Sequence, residues 1–347
     1  MPTAAPDSVV VLRFSAVGDV ILTAAALAAL KKAWPTTRVV FVTKARLTCL
    51  VADNPNVDAV VGLEVGEGVR SLAARLGPER PGAVLDLHAK LRSAALRALL
   101  RAPRTVVWRK RPRWQTIKVR LRLGQHRAHG LVADRYHQAV EALVGAPLAF
   151  GELRFFVSPD ARARLTEMLE ETGLDRARPL IGMAPGSMWA TKRWPLERFA
   201  ALATRALEAG AQVVLSGSAE EAEVTAAVRA LAPGVVDLAG KIGLGDLGAF
   251  VDCCTAFVAN DSGPMHLSRA LGVPTLAIFG STDPAQFDFT GHALLFAGIP
   301  CAPCSLYGRR KCPLGHFRCM QTLAVDEAWR ALSGLLAGPR RVAWVRG

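Results

Sequence analysis

The residues best suited to chemistry lie in short polar turns that follow apolar runs. Asn260-Asp261-Ser262-Gly263-Pro264-Met265-His266 comes after the run Ala256 to Ala259 and before Leu267 to Leu271, whose spacing suits a helix packed on a sheet. A proline in the first helical turn and a glycine beside it leave N–H groups aimed past the strand end, an anion site. Asp261 or Ser262 can cap this helix, and His266, one turn inside, can reach the same ligand or brace Asp261. The alternative is an ordinary capped helix of an α/β domain. Ser187-Met188-Trp189-Ala190-Thr191-Lys192-Arg193-Trp194-Pro195 follows Ala184-Pro185-Gly186. Its two hydroxyls and two cations above a strand end suit a diphosphate, with Lys192 as point charge and Ser187 as hydrogen-bond partner. In Gly217-Ser218-Ala219-Glu220-Glu221 a carboxylate can accept both hydroxyls of a ribose, although glutamates also suit a helix's first turn without any ligand. Gly280 to Pro284 is a further turn near the same rim.

One more constellation is metal-like. Cys301, Cys304, Cys312 and Cys319 occur among Pro303, Gly308, Pro313 and Gly315, and the spacing suits one tetrahedral ion. Zinc is the first expectation and an iron–sulfur cluster the second, with free or oxidatively paired thiols in a loop as the alternative. Four thiolates leave no open position, so such a metal is structural. Cys49, Cys253 and Cys254 stand in apolar surroundings and read as core.

These turns need strands and helices to position them, and the chain supplies two alternating series. Val9 to Phe14 reads as a strand, Ser15 to Asp19 as a turn, and Val20 to Trp34 as a helix stopped by Pro35. Asp19 thus sits at the mouth of the first strand, where open α/β sheets place their chemistry. Arg38 to Thr43, Ala59 to Leu63, Ala83 to Asp86 and Thr105 to Trp108 are further strands. Gly145 to Pro159 is the best boundary, after which Leu180 to Ala184, Gln212 to Ser216, Val235 to Leu238, Phe257 to Ala259 and Thr275 to Phe279 form the second series. Helices such as Pro195 to Glu208 and Glu220 to Leu231 separate them, an alternation that implies parallel sheets. The expected fold class is α/β, with two Rossmann-like doubly wound domains facing across a cleft. They occupy 1–155 and 156–325, and an amphipathic C-terminal helix and tail in 326–347 is free to return to the first domain.

Bulk properties narrow the function. A chain of 347 residues, 51% hydrophobic, is long enough for two cores. No apolar run reaches the roughly 18 to 20 residues needed to span a bilayer. The start of the chain lacks a basic region followed by an apolar core, so a cytoplasmic location is expected. Seven cysteines do not make a secreted disulfide scaffold in a chain this long. The net charge of +14 is concentrated: from His88 to Ala133 there are 13 Lys or Arg residues and no Asp or Glu. Such a segment is either a solvated face or the mark of an anionic partner, whether glycolipid, membrane surface or nucleic acid. Only Trp108 and Trp114 interleave its charges, which disfavours nucleic acid.

The chain resembles glycosyltransferase family 9, the ADP-heptose:lipopolysaccharide heptosyltransferases, over nearly its full length. The resemblance is carried by Arg13-Phe14-Ser15-Ala16-Val17-Gly18-Asp19-Val20, by Ala184-Pro185-Gly186 through Lys192-Arg193-Trp194-Pro195, and by Asn260 to His266 with Leu271-Gly272-Val273-Pro274 and Phe279-Gly280. Ser262 stands where many members have Thr. The resemblance implies a GT-B fold and an inverting transfer of heptose from ADP-heptose to the inner core of lipopolysaccharide, with no metal in catalysis. By it, Asp19 is the general base. Lys192, Ser187 and the backbone of Ser262 and Gly263 hold the departing diphosphate. Glu221, or Glu220 beside it, binds ribose; the backbone near Ile242 meets adenine; Asp261 and His266 contact the donor sugar or its phosphate. The first domain then receives the acceptor, so Arg109, Lys110, Arg111, Arg113, Arg120 and Arg122 are expected to face an anionic glycolipid at the inner-membrane surface, to which the protein binds peripherally. A different nucleotide sugar, or an epimerisation of one, is the rival reading.

Overall fold

A computed structural model describes residues 3–77, 80–108 and 130–338, which form two compact units meeting in sequence at 156/157. In the first unit, strands β1 (Ser8–Leu12), β2 (Arg38–Lys44), β3 (Ala59–Leu63), β4 (Ala83–Asp86) and β5 (Arg104–Val107) form one parallel sheet in the order β3-β2-β1-β4-β5. Val10 on the central strand is level with Val40 and Val84 on either side. Every residue from Val9 to Leu12 is buried, as a strand covered on both faces requires. Parallel pairing forces crossovers, which the helices Ala24–Ala33, Val69–Arg75 and Leu91–Leu100 provide. Helix Val132–Val144 packs against Ala24–Ala33, burying Tyr136, Val140 and Leu143.

The second unit repeats the plan with β6 (Leu180–Ala184), β7 (Gln212–Leu215), β8 (Val236–Asp237), β9 (Ala256–Asn260), β10 (Thr275–Phe279) and β11 (Ala293–Phe296). All are parallel, in the order β11-β10-β9-β6-β7-β8. Helices Leu196–Glu208 and Ala222–Leu231 cross over beside β7, and Trp194 and Phe199 anchor the core edge to face at 5.2 Å. The indole N–H of the fully buried Trp194 donates to the Leu323 carbonyl, so its one polar atom is satisfied.

Both sheets have a topological switch point, where successive strands leave in opposite directions. It lies between β1 and β4 in the first unit and between β6 and β9 in the second. Open α/β sheets bind ligands in the crevice at the carboxyl ends of those strands.

The sequence reading differs from the fold in four places. The helix expected over 20–34 is two pieces, Val17–Ile21 and Ala24–Ala33, because the chain steps at Leu22 and Thr23 and the Thr23 hydroxyl donates to the Val20 carbonyl. Strand β11 has no counterpart in the sequence reading, whose second series ended at Thr275 to Phe279. Helix Val325–Leu336, which the sequence reading left free to return to the first domain, buries Ala328 and Leu332 in the second unit's core, against Leu196–Glu208, β10 and β11. Cys254 is core, whereas Cys49 and Cys253 are only partly buried.

Candidate active site

In the second unit, the loops leaving β6 and β9 are joined by one side chain. Asn260, the last residue of β9, donates through Nδ2 to the Pro185 carbonyl at 2.8 Å and accepts the Trp194 N–H at Oδ1 at 3.1 Å. An amide can do both because it carries a donor and an acceptor on one plane. That clamp sets the path of the Ser187–Lys192 loop. Ser187 is buried, its carbonyl accepting from Arg193 Nε at 2.7 Å. Lys192 reaches Asp261, Nζ to Oδ2 at 2.6 Å, and Thr282 from the turn after β10 donates to the same oxygen at 2.6 Å. Burial alone would raise the Asp261 carboxyl, but Lys192, then His266, together with hydrogen bonds from Lys192 and Thr282, outweigh it and hold the group below its ordinary value.

This corrects the expected capping. Ser262 occupies the N-cap position of helix Gly263–Ala270, yet its hydroxyl turns back to the Asn260 carbonyl at 3.0 Å and no side-chain oxygen caps the helix. Asp261 is committed to Lys192 and Thr282. The first turn's N–H groups are thereby left without a side-chain cap at the switch point, beside a lysine. His266 is buried, edge-on to Phe287 at 4.6 Å, with Nε2 4.0 Å from Asp261 Oδ1. His266 thus stands beside Asp261, the residue the sequence offered for it to brace.

Glu221 lies over the loop after β6. It accepts the Ser218 N–H at 3.1 Å, and a Cβ on Gly186 would come 2.1 Å from its Oε1, so the glycine is what lets the carboxylate lie there. Glu220 is exposed. Ile242 is buried in the segment after β8, with its N–H already donating to the Leu238 carbonyl at 3.2 Å.

In the first unit, Asp19 is the third residue of helix Val17–Ile21 rather than its N-cap, and its Oδ2 accepts the Ala16 N–H at 3.2 Å. Arg13, just beyond β1, holds the same oxygen at 2.5 Å. Tyr136 donates to the other oxygen at 3.4 Å. Beside this, an open pocket of about 780 Å³ lies at the carboxyl ends of the strands, lined by Ser15, His88, Lys44, Lys90, Leu91 and Arg92 among others. Asp86, fully buried beneath it, accepts the N–H groups of His88 and Ala89 and faces Arg97 Nε at 2.9 Å. These bonds pin the turn after β4 and hold Ala89 at φ +50°. The sequence reading placed the acceptor face on Arg109, Lys110, Arg111, Arg113, Arg120 and Arg122, all of which lie outside the described residues. It did not single out Lys44, Lys90 or Arg92 as ligands, because only the strand order brings the first of these beside the other two.

The four clustered cysteines lie between β11 and helix Val325–Leu336 as free thiols. Burial, and then Cys304, Cys301 and Cys312, push the Cys319 thiol up to about 11, and Cys301 Sγ lies 3.8 Å from His316 Nε2. Soft sulfur donors with an imidazole nearby fit zinc chemically. Among the described residues, however, no three His, Cys, Asp or Glu side chains converge as a ligand set. Nor, among them, is any helix long and apolar enough to cross a membrane.

The profile described as glycosyltransferase family 9 (heptosyltransferase) matches residues 69–314. Lipooligosaccharide heptosyltransferase 2 of Haemophilus influenzae is 37% identical over 135 residues, spanning 37% of this chain but only 39% of that protein. Lipopolysaccharide heptosyltransferase 2 of Salmonella typhimurium is 28% identical over 303 residues, 81% of this chain and 84% of the relative. Among solved structures, E. coli ADP-heptose lps heptosyltransferase II superposes with a TM-score of 0.73 at 22% identity, covering 95% of this chain and 98% of that one. The expected GT-B fold class accords with that likeness.

Proposed function

Because the chain belongs to glycosyltransferase family 9, the heptosyltransferases, we propose that it transfers heptose from ADP-heptose to the inner core of lipopolysaccharide, with inversion and without a catalytic metal. What carries the reading is the placement of the three family-like motifs, each at the carboxyl end of a strand flanking a switch point. The relatives named as heptosyltransferases and the neighbour named for ADP-heptose support the choice of donor.

In the proposed reaction the acceptor hydroxyl oxygen forms a bond to the anomeric carbon of the donor. As that bond forms, the bond from this carbon to the β-phosphate oxygen breaks, its electron pair leaves with ADP, and the hydroxyl proton passes to Asp19. One displacement inverts the centre. Negative charge grows on the diphosphate, so donors aimed there stabilise the transition state more than the ground state. Lys192, Ser187 and the N–H groups at Ser262 and Gly263 are those donors. A lysine suffices where a metal serves in other nucleotide-sugar enzymes, and Asp261 holds it in place until a phosphate shares its charge. Asp261 therefore acts on the donor through Lys192, and His266 acts through Asp261. Glu221 takes the ribose hydroxyls over Gly186, and the segment at Ile242 takes the adenine.

The pocket bearing Lys44, Lys90 and Arg92 receives the acceptor's acidic groups. Together with the basic run through Arg109 and Arg122, it draws the protein to the anionic membrane face that carries the acceptor. The spacing of Cys301, Cys304, Cys312 and Cys319 is the basis for also proposing a structural zinc there; holding it requires the four side chains to draw closer than they stand here, and it takes no part in transfer.

Calorimetric titration with ADP, UDP and GDP in parallel tests the donor class. ADP is expected to bind at least about tenfold more tightly, a difference of roughly 1.4 kcal/mol. Preference for UDP would contradict the reading.

A further inference from the structure

The surroundings of Asp19 are asymmetric in a way that an ordinary ion pair is not. Arg13 is 7% exposed in its side chain while Asp19 is 35% exposed. The cation is sunk and the anion is presented. A surface pair made for stability leaves both partners in water, and one made inside a core buries both. Here a desolvated guanidinium supports a carboxylate that keeps access to solvent.

The two terminal nitrogens of the guanidinium serve that end, while its Nε is buried without a hydrogen-bond partner among the described residues. Its Nη1 donates to the Leu87 carbonyl at 2.5 Å, and its Nη2 reaches Asp19 Oδ2 at 2.5 Å. The rings of Trp108 and Tyr136 each lie 5.5 Å from its central carbon and meet each other edge-on at 5.1 Å. Aromatic faces attract a cation without offering it a competing acceptor, so the carboxylate and one carbonyl are what orient it. Tyr136 then closes the arrangement through its hydroxyl, which donates to Oδ1. Burial, and next the charge of Asp19, push the Tyr136 phenol well above its ordinary value, so it stays a donor and cannot act as a rival base. Trp108 directly follows β5 and Tyr136 lies on helix Val132–Val144, so two segments remote in sequence converge on one side chain.

We propose that Arg13 and Tyr136 are positioning residues for Asp19, one fixing each carboxylate oxygen, with Trp108 and the Tyr136 ring holding the guanidinium in place. The proposal rests on the reading of Asp19 as general base and adds two residues to it. A base whose Oδ2 is held by Arg13 and the Ala16 N–H, and whose Oδ1 is held by Tyr136, keeps a single rotamer and leaves its remaining lone pairs for the acceptor hydroxyl. The role is orientation, since neither added residue touches the reacting atoms.

The test uses the full chain with ADP-heptose and an inner-core acceptor on which the wild type turns over, comparing Tyr136→Phe, Arg13→Lys and Arg13→Met with Asp19→Asn. Tyr136→Phe keeps the ring and loses only the hydroxyl, so kcat should fall about tenfold while both KM values, the Kd for ADP and Tm stay near wild type. Arg13→Met should lose about a hundredfold in kcat, and Arg13→Lys should recover part of it. If Arg13→Met fails to fold, Tyr136→Phe and Arg13→Lys carry the test. Wild-type kcat in Tyr136→Phe and in a folded Arg13 variant, alongside an inactive Asp19→Asn, would overturn the positioning role and leave the base intact. Losses of kcat that merely track a fall in Tm would overturn it in favour of a packing role. An active Asp19→Asn would remove the base reading itself.

Discussion

Lys192 Nζ and Asp261 Oδ2 lie 2.6 Å apart at the switch point of the second sheet, with only 12% and 6% of their side chains exposed. A pair so desolvated does not need to add stability, yet breaking it is costly because one charge stays buried without its partner. Asp261→Asn should therefore lower stability by about 3 kcal/mol at neutral pH.

The same pair sets an acid limit. The Asp261 carboxyl is held below its ordinary value, so its contribution is complete above the unfolded value, about pH 4, and is lost as pH falls through the lower folded value. Thermal unfolding followed from pH 7 downward should show a component of acid destabilisation below about pH 4 that Asp261→Asn lacks. Parallel curves for the two proteins would show that the pair is not linked to folding in this way.

Gly186→Ala probes the ribose site without touching a polar group. The new methyl would meet Glu221 Oε1 at 2.1 Å, and the carboxylate, at the end of a flexible side chain, would move aside. Stability should change little, while affinity for ADP should fall about tenfold if Glu221 accepts the ribose hydroxyls. Unchanged calorimetric affinity for ADP would remove Glu221 from the site.

The acceptor pocket predicts a split in the kinetic constants. Lys90→Glu combined with Arg92→Glu reverses two exposed cations at its rim, so the acceptor KM should rise at least about tenfold while the donor KM holds. Equal damage to both constants would place these cations elsewhere in the reaction or in folding.

For the cysteine cluster the readout is elemental. Purified protein should contain about one zinc per chain, lost on replacing Cys301 and Cys304 by serine. Iron with acid-labile sulfide would instead indicate a cluster. A metal-free protein of full stability would leave the four thiols as loop residues.

Much of this arrangement was legible in the sequence because it is local. Strand, turn and helix signals are short-range, so the loops carrying Asp19, Ser187, Lys192 and Asp261 could be placed at strand ends from their neighbours alone. What escaped depends on strand order. Tyr136 is 117 residues from Asp19, and nothing in helix Val132–Val144 marks one buried tyrosine as different from the rest of its apolar face. Lys44 joins Lys90 and Arg92 only because β2 and β4 flank β1. Charge density drew attention to Arg109–Arg122, whereas the described pocket is set by where the five strands of the first sheet end. Asn260 read as part of a turn, and its function as a clamp shows only in its partners Pro185 and Trp194.

The most direct test of transfer from ADP-heptose by a carboxylate base is turnover of Asp19→Asn, with its Kd for ADP measured on the same preparation. The residues proposed to hold the nucleotide lie in the other unit, so ADP should bind as in wild type while kcat falls by about a hundredfold or more. An Asp19→Asn protein that binds ADP and still transfers heptose at the wild-type rate would contradict the assignment.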